Sequence, residues 1–302
     1  MTVLAALHHS THYRFDRPVI VSAHEIRLKP AAHSRTPILA YSLEIEPANH
    51  VIHTHQDAYG NFVARVNFPQ AAEALRMTVD LIADLSPINP FDFFIEPWAE
   101  YFPFRYPDNL KYDLMPFLLT ESQGARFDHW LALLRQEYLE PVTSTEFLVK
   151  LNQTVQQTVS YLPRYEHGVQ TPEVTLASNS GSCRDSAWLL VQLLRHLGVA
   201  TRFVSGYLIQ LTVEACASGS GNEPGVGADL HAWCEAYIPG AGWIGLDATS
   251  GLLTGEGHIP LAVAAYPEAA SPVSGFVAPC GSSLDIAMTA SLAHPSQRES
   301  DA

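Results

Sequence analysis

The chain has 302 residues, 47% of them apolar and 16% charged. That composition folds rather than staying disordered, and the length allows two domains. Its 17 basic and 31 acidic side chains leave a formal charge of −14 with no Lys/Arg block, so neither nucleic acid nor a membrane surface is an expected partner.

No run approaches the roughly 20 apolar residues of a spanning helix. Met1 to Leu7 lacks the basic start of a secretory signal, so a cytoplasmic protein is expected.

Residues 1–86 read as a series of short strands. His12-Tyr13-Arg14-Phe15 and Glu25-Ile26-Arg27-Leu28-Lys29 alternate with period two, and Leu39, Tyr41, Leu43 and Ile45 share one face. Pro47-Ala48-Asn49-His50 and Tyr59-Gly60-Asn61 are turn signals, and Met77 to Leu81 closes the series. The expected unit is a small antiparallel β-sandwich. Residues 87–124, rich in proline and aromatics, read as an ordered linker, because a free linker would not be so aromatic.

A catalytic core is expected over 125–294 and a polar tail over 295–302. Helical spacing predicts helices near Ala125–Tyr138 and Thr145–Val159, then an irregular stretch from Tyr161 to Asn179. The clearest helix starts at Ser182 or Cys183, carries Leu189, Leu190, Leu193, Leu194 and Leu197, and stops at Gly198. Strands are predicted at Thr201–Leu211, Leu230–Ile238 and Trp243–Leu246, with a Ser/Gly-rich surface loop over Cys216–Asp229 and a hairpin at Pro239-Gly240-Ala241-Gly242. Leu284, Ile286, Met288, Ala290 and Leu292 alternate as a returning edge strand.

The cysteines at 183, 216, 234 and 280 lack the close spacing of a zinc knuckle or redox dithiol, and reduced thiols are expected. Cys183 differs from the others in following the turn Ser180-Gly181-Ser182 at the start of a long helix. The helix dipole and unpaired backbone N–H groups there stabilise a thiolate. Gly181 would let a substrate backbone approach, and the Cys183 N–H could serve as an oxyanion donor. The bland alternative is a buried helix cysteine.

His231 argues against that alternative. Strand alternation puts His231, Trp233, Glu235 and Tyr237 on one face of Asp229–Tyr237, with Ala232, Cys234 and Ala236 on the other. Antiparallel pairing through the hairpin can bring Asp247 beside His231, where a carboxylate would fix the imidazole tautomer. Cys183, His231 and Asp247 are therefore the expected catalytic residues, as nucleophile, base and orienting carboxylate.

Three segments together, Gly181-Ser182-Cys183-Arg184-Asp185, Leu230-His231-Ala232-Trp233 and Trp243-Ile244-Gly245-Leu246-Asp247-Ala248-Thr249, resemble the transglutaminase-like superfamily of papain-fold thiol enzymes. The strand-rich first part resembles the N-terminal domain of its bacterial branch. The resemblance implies an α+β fold, in which the helix bearing the nucleophile packs on an antiparallel sheet. It also implies acyl transfer through a thioester on a protein or peptide substrate; the resemblance leaves hydrolysis and cross-linking open, and a soluble chain with a single core slightly favours hydrolysis. Ala248 departs from a proline common in related sequences.

Trp233, Gly181 and Asn179 are the substrate-binding candidates, and Asn179 or Tyr161 could supply a second oxyanion donor. Arg184 and Asp185 read as structural pairing, and His258 as a residue that could border the site. No metal or other cofactor is expected: His8, His9, His12, His53 and His55 read as solvated strand histidines for want of matched further ligands. The competing reading is a non-catalytic binding scaffold on the same fold. Substrate and oligomeric state stay open.

Overall fold

The computed structural model describes residues 3–211 and 226–293. Six strands come first: β1 (Leu4–Val19), β2 (His24–Ile26), β3 (Ile38–Glu46), β4 (Val51–Gln56), β5 (Phe62–Asn67) and β6 (Ala72–Asp84). Next come β7 (Tyr101–Phe102), α1 (Asp108–Asp113), α2 (Ala125–Glu137), β8 (Val142–Thr143), α3 (Ser144–Thr158), β9 (Ser160–Tyr161), α4 (Pro172–Ser178) and β10 (Ser180–Gly181). Helix α5 (Cys183–His196) leads into β11 (Thr201–Leu211), β12 (Val226–Ile238), β13 (Gly242–Asp247), β14 (Leu252–Leu253) and β15 (His258–Ala264). Strands β16 (Val273–Ser274) and β17 (Ser282–Ala293) close the chain.

The N-terminal unit is a sandwich of two four-stranded antiparallel sheets, ordered β17-β1-β6-β3 and β16-β2-β5-β4. Alternate residues of β6 (Leu75, Met77, Val79, Leu81, Ala83) turn inward and meet Leu7, Ile26 and Val66 in a shared core, as period-two side-chain geometry requires.

Three expectations change here. The strand expected through Lys29 stops at Ile26. Of the four residues expected to share one face of β3, Tyr41, Leu43 and Ile45 do so against the sandwich core, whereas Leu39 is exposed: β3 is an edge strand whose register shifts between Ile38 and Ala40. The returning strand β17 lies on β1 from Leu4↔Ala293 to Phe15↔Ser282. The end of the span 125–294 therefore completes the N-terminal sandwich rather than the core sheet.

The second unit has a five-stranded antiparallel sheet, ordered β14-β13-β12-β11-β15. Leu189, Leu190, Leu193 and Leu194 of α5 are fully buried, in one cluster with Phe147, Leu148, Leu151 and Val155 of α3. Ala232, Cys234, Ala236 and Leu246 supply the sheet's side of that cluster. Gly198, with φ of 87°, takes the left-handed conformation that ends α5.

Strand β12 begins at Val226, because Val226–Asp229 pair with Leu208–Leu211. Of the loop expected over 216–229, residues 216–225 lie outside the described residues, as does the tail from 294 on. The stretch Tyr161–Asn179 holds the short helix α4. Its sequence signal was Thr171-Pro172: Thr171 caps the Val174 N–H, and proline fits the first turn.

Between the two units, the Tyr106 hydroxyl donates to the Tyr237 carbonyl and accepts the Ala200 N–H, tying the segment before α2 to the core. The sandwich core extends onto the second unit through Tyr207, Ile209, Ile259 and Leu261. Asn61 bonds the Val263 backbone in both directions at 2.8 Å. Among the described residues no helix is long and apolar enough to cross a membrane.

Candidate active site

The turn that delivers Cys183 is held from behind by Asp185, which is fully buried. Its Oδ2 accepts the Ser182 N–H and hydroxyl, both at 2.8 Å. Arg164 donates to both carboxylate oxygens, from Nε at 3.0 Å and NH2 at 3.2 Å, and the Gln170 N–H adds a bond at 2.7 Å. Burial raises the Asp185 pKa, but these donors outweigh it and hold the carboxyl below its ordinary value. Arg184 donates to the Arg164 and Glu166 carbonyls. Arg184 and Asp185 thus fasten the 160–170 segment over the start of α5. The result is a half-buried Cys183 at the first turn of α5.

His231 and Asp247 come from neighbouring strands. The register Cys234↔Leu246 puts Asp247 one step past the last paired residue of β13 and diagonal to His231, within reach of a long side chain. Asp247 Oδ1 lies 3.1 Å from His231 Nε2, at ion-pair distance but off the direct N–H line. Asp247 also accepts the Thr249 N–H on Oδ1 and the Ser250 hydroxyl on Oδ2, both at 2.9 Å. The side chain of His231 is hydrogen-bonded to Cys183 as well. With Nε2 facing the carboxylate, Nδ1 is the nitrogen left for the sulfur.

The electrostatics follow from this arrangement. Burial disfavours the charged imidazole, but Asp247 and Cys183 outweigh it and push His231 up to about 10. Burial likewise raises Asp247, yet His231 and His258 hold its carboxyl well below the usual carboxylate range. The structure therefore brings Cys183, His231 and Asp247 together.

The three residues expected to bind substrate have other surroundings. Trp233 is 1% exposed, packed with Val204 and Val263. A Cβ on Gly206 would strike its ring, so Trp233 is packed into the core on that side, while it also borders the hollow lined by Glu235 and His258. Gly181 is buried, and what approaches it is Asp185: a Cβ at 181 would lie 2.8 Å from the Asp185 Cβ. Asn179 is the left-handed C-cap of α4, with φ of 49° and its side chain exposed. Tyr161 is 56% exposed and within electrostatic reach of Cys183 and Asp229.

Of the histidines read as solvated, His9 is fully buried and bonded to Tyr207 and Thr11, because it faces inward on β1 between the two units. His258 is more involved than its sequence context indicates: its Nε2 lies 3.4 Å from Asp247 Oδ2. Lying eleven residues past Asp247, at the head of a strand on the sheet's far edge, it had no spacing signal. His231, Asp247 and His258 place their ligand-type atoms within 4.8 Å of one another, the one such metal-compatible group among the described residues.

A helix-borne thiol packed on an antiparallel sheet that carries an imidazole and a carboxylate defines a papain-like fold of the thiol-enzyme kind. The chain belongs to the transglutaminase-like superfamily, in its bacterial branch with an N-terminal β domain. Residues 134–248 match the transglutaminase-like superfamily, and residues 5–84 match the bacterial transglutaminase-like N-terminal region.

An uncharacterized protein of Mycobacterium tuberculosis is 28% identical over 270 residues, 83% of this chain and 80% of the relative. One from Mycobacterium leprae is 23% identical over 287 residues, covering 92% and 95%. The crystal structure of a candidate cysteine protease from Cytophaga hutchinsonii shares the fold, with a TM-score of 0.69 at 21% identity, over 97% of this chain and 91% of that one.

Proposed function

We propose that this protein is a thiol-dependent acyl-transfer enzyme acting on peptide or glutamine-type amides, with Cys183, His231 and Asp247 as its catalytic triad. The observation that carries the reading is the imidazole set between the helix-borne thiol on one side and a buried carboxylate at ion-pair distance, 3.1 Å, on the other.

The Cys183 thiolate adds to the amide carbonyl carbon, and the carbonyl π pair moves onto oxygen. Collapse breaks the C–N bond, and the departing nitrogen takes the proton from the His231 imidazolium, leaving a thioester. His231, now neutral, takes a proton from water as the oxygen adds to the thioester. Breaking the C–S bond releases the acid and restores the thiolate–imidazolium pair. Asp247 orients the ring and steadies its charge throughout.

The Cys183 N–H, at the positive end of α5, is the proposed oxyanion donor, with Tyr161 as the second. Water is favoured over an amine as the resolving group because Cys183 is half-buried and Tyr161 beside it is open to solvent. The buried charges of Asp247 speak against a bare scaffold, since such groups cost stability unless they are used.

The test is to offer a glutamine-rich protein and a fluorogenic peptide panel, measuring ammonia, new carboxyl groups and uptake of a labelled amine. Turnover lost in Cys183→Ala with an unchanged melting curve supports the reading. Wild-type turnover in that variant ends it.

A further inference from the structure

Asp247 is shared by two imidazoles. His258 sits at the head of β15, where Gly257 lets the chain pass close to the Ile209 carbonyl, an approach any Cβ would block. The Gly255 N–H donates to His258 Nδ1 at 3.3 Å, which leaves the neutral ring's proton on Nε2. That nitrogen faces Asp247 Oδ2 at 3.4 Å, on the opposite carboxylate oxygen from the one beside His231. The two imidazoles lie 6.0 Å apart, and Trp233 packs beside both, stacked on His231 and edge-on to His258 with centroids 6.3 and 5.3 Å away. The His258 side chain is only 12% exposed. It reaches Asp247 from a strand on the far side of β11, independently of the β12–β13 hairpin.

We infer that His258 is a positioning residue of the reactive pair: as a donor to Oδ2, it fixes the Asp247 carboxylate in the rotation that presents Oδ1 to His231. The contact of Oδ1 with His231 Nε2 is off-line, so that carboxylate's orientation decides how well it supports the imidazolium. Ser250 also bonds Oδ2, at 2.9 Å, while accepting the Leu252 N–H at 3.3 Å; His258, held by its own backbone bond and packed on Trp233, approaches the same oxygen from a different strand and so restrains the carboxylate from a second direction. The other ionisable groups around this ring are His231, Asp247 and, across the adjoining hollow, Glu235, His33, Arg35 and Asp92.

The inference rests on Cys183 and His231 forming the reactive pair, and its test needs no substrate. The rate of Cys183 carbamidomethylation by iodoacetamide is measured from pH 5 to 9, with Cys183 identified by peptide mapping, in wild type, His258→Gln and His258→Leu.

Fast labelling of wild-type Cys183 at neutral pH, a roughly ten-fold slower rate in His258→Leu with the plateau moved to higher pH, and near wild-type behaviour in His258→Gln bear the inference out. Glutamine supports it because it can still donate to Oδ2. If His258→Leu labels as wild type, or His258→Gln is as slow as the leucine variant, the inference is overturned. Should the leucine variant not fold, His258→Ala read with and without added imidazole replaces it, and absence of rescue overturns the inference. Slow labelling in wild type would instead sink the reactive-pair reading beneath it.

Discussion

At the residue scale, His231 stands between a thiol and a buried carboxylate. His231 is pushed up to about 10, so its proton is retained at neutral pH, available for the proposed general-acid role, and is lost only as pH rises through that value. The alkaline limb of kcat/KM is therefore expected near pH 10. A limb near the ordinary imidazole value would mean that His231 lacks its two partners. Asp247→Asn keeps the shape of the site and removes the charge. We expect KM within about three-fold of wild type and kcat lower by a factor on the order of 100 to 10,000, readable by steady-state kinetics once a substrate is in hand. Cys234 is fully buried, and burial pushes its thiol up, so slow labelling there gives an internal control.

At the element scale, the start of α5 is where stability and chemistry meet. Asp185 is the anchor shared by Ser182, Arg164 and Gln170. Asp185→Asn takes from the Arg164 guanidinium its buried counter-charge and leaves it the exposed Glu166 carboxylate at 3.5 Å. Breaking such a pair costs about 3 kcal/mol. For a chain of this size that lowers the melting temperature by roughly 5 °C, and Cys183 alkylation should slow with it as the turn loosens. A melting curve within 2 °C of wild type would show that Asp185 carries no such load. Helix α5 itself was legible in the sequence because its leucine stripe and glycine stop are local signals. Helix α4 was not, since seven residues show too little periodicity to stand out.

At the scale of the whole molecule, the two units are joined by apolar contact and by a buried polar group at their boundary. His9 accepts or donates only within the trio His9, Tyr207 and Thr11, and burial, then the nearby His8, lowers its pKa to about 4 from 6.5. The unfolded chain therefore binds the extra proton first. The stability tied to neutral His9 is complete above pH 6.5 and is lost as pH falls through about 4, up to about 3 kcal/mol. Urea midpoints taken at pH 7.5 and 4.5 should fall further for wild type than for His9→Asn; parallel shifts would show that His9 is not the cause. Strand β17 gives a second test, because ending the chain at Gly281 unpairs β1 along its outer edge. Early melting of the sandwich is expected, followed by differential scanning calorimetry, and an unaltered thermogram would rule the strand's role out.

The sequence by itself determined what depends on neighbours along the chain. Alternation marked the strands, helical spacing marked α2, α3 and α5, and a glycine-containing turn marked Cys183 as the thiol at a helix start. The hairpin fixed Asp247 relative to His231, because antiparallel register follows from the turn. Only the tertiary structure decided what depends on distant segments meeting: β17 returning to β1, His9 turning inward on Tyr207, Trp233 sealed under Gly206, and His258 reaching Asp247 from the far edge of the sheet. Those contacts are set by how sheets and helices stack, and stacking leaves no periodic trace in either partner's own sequence.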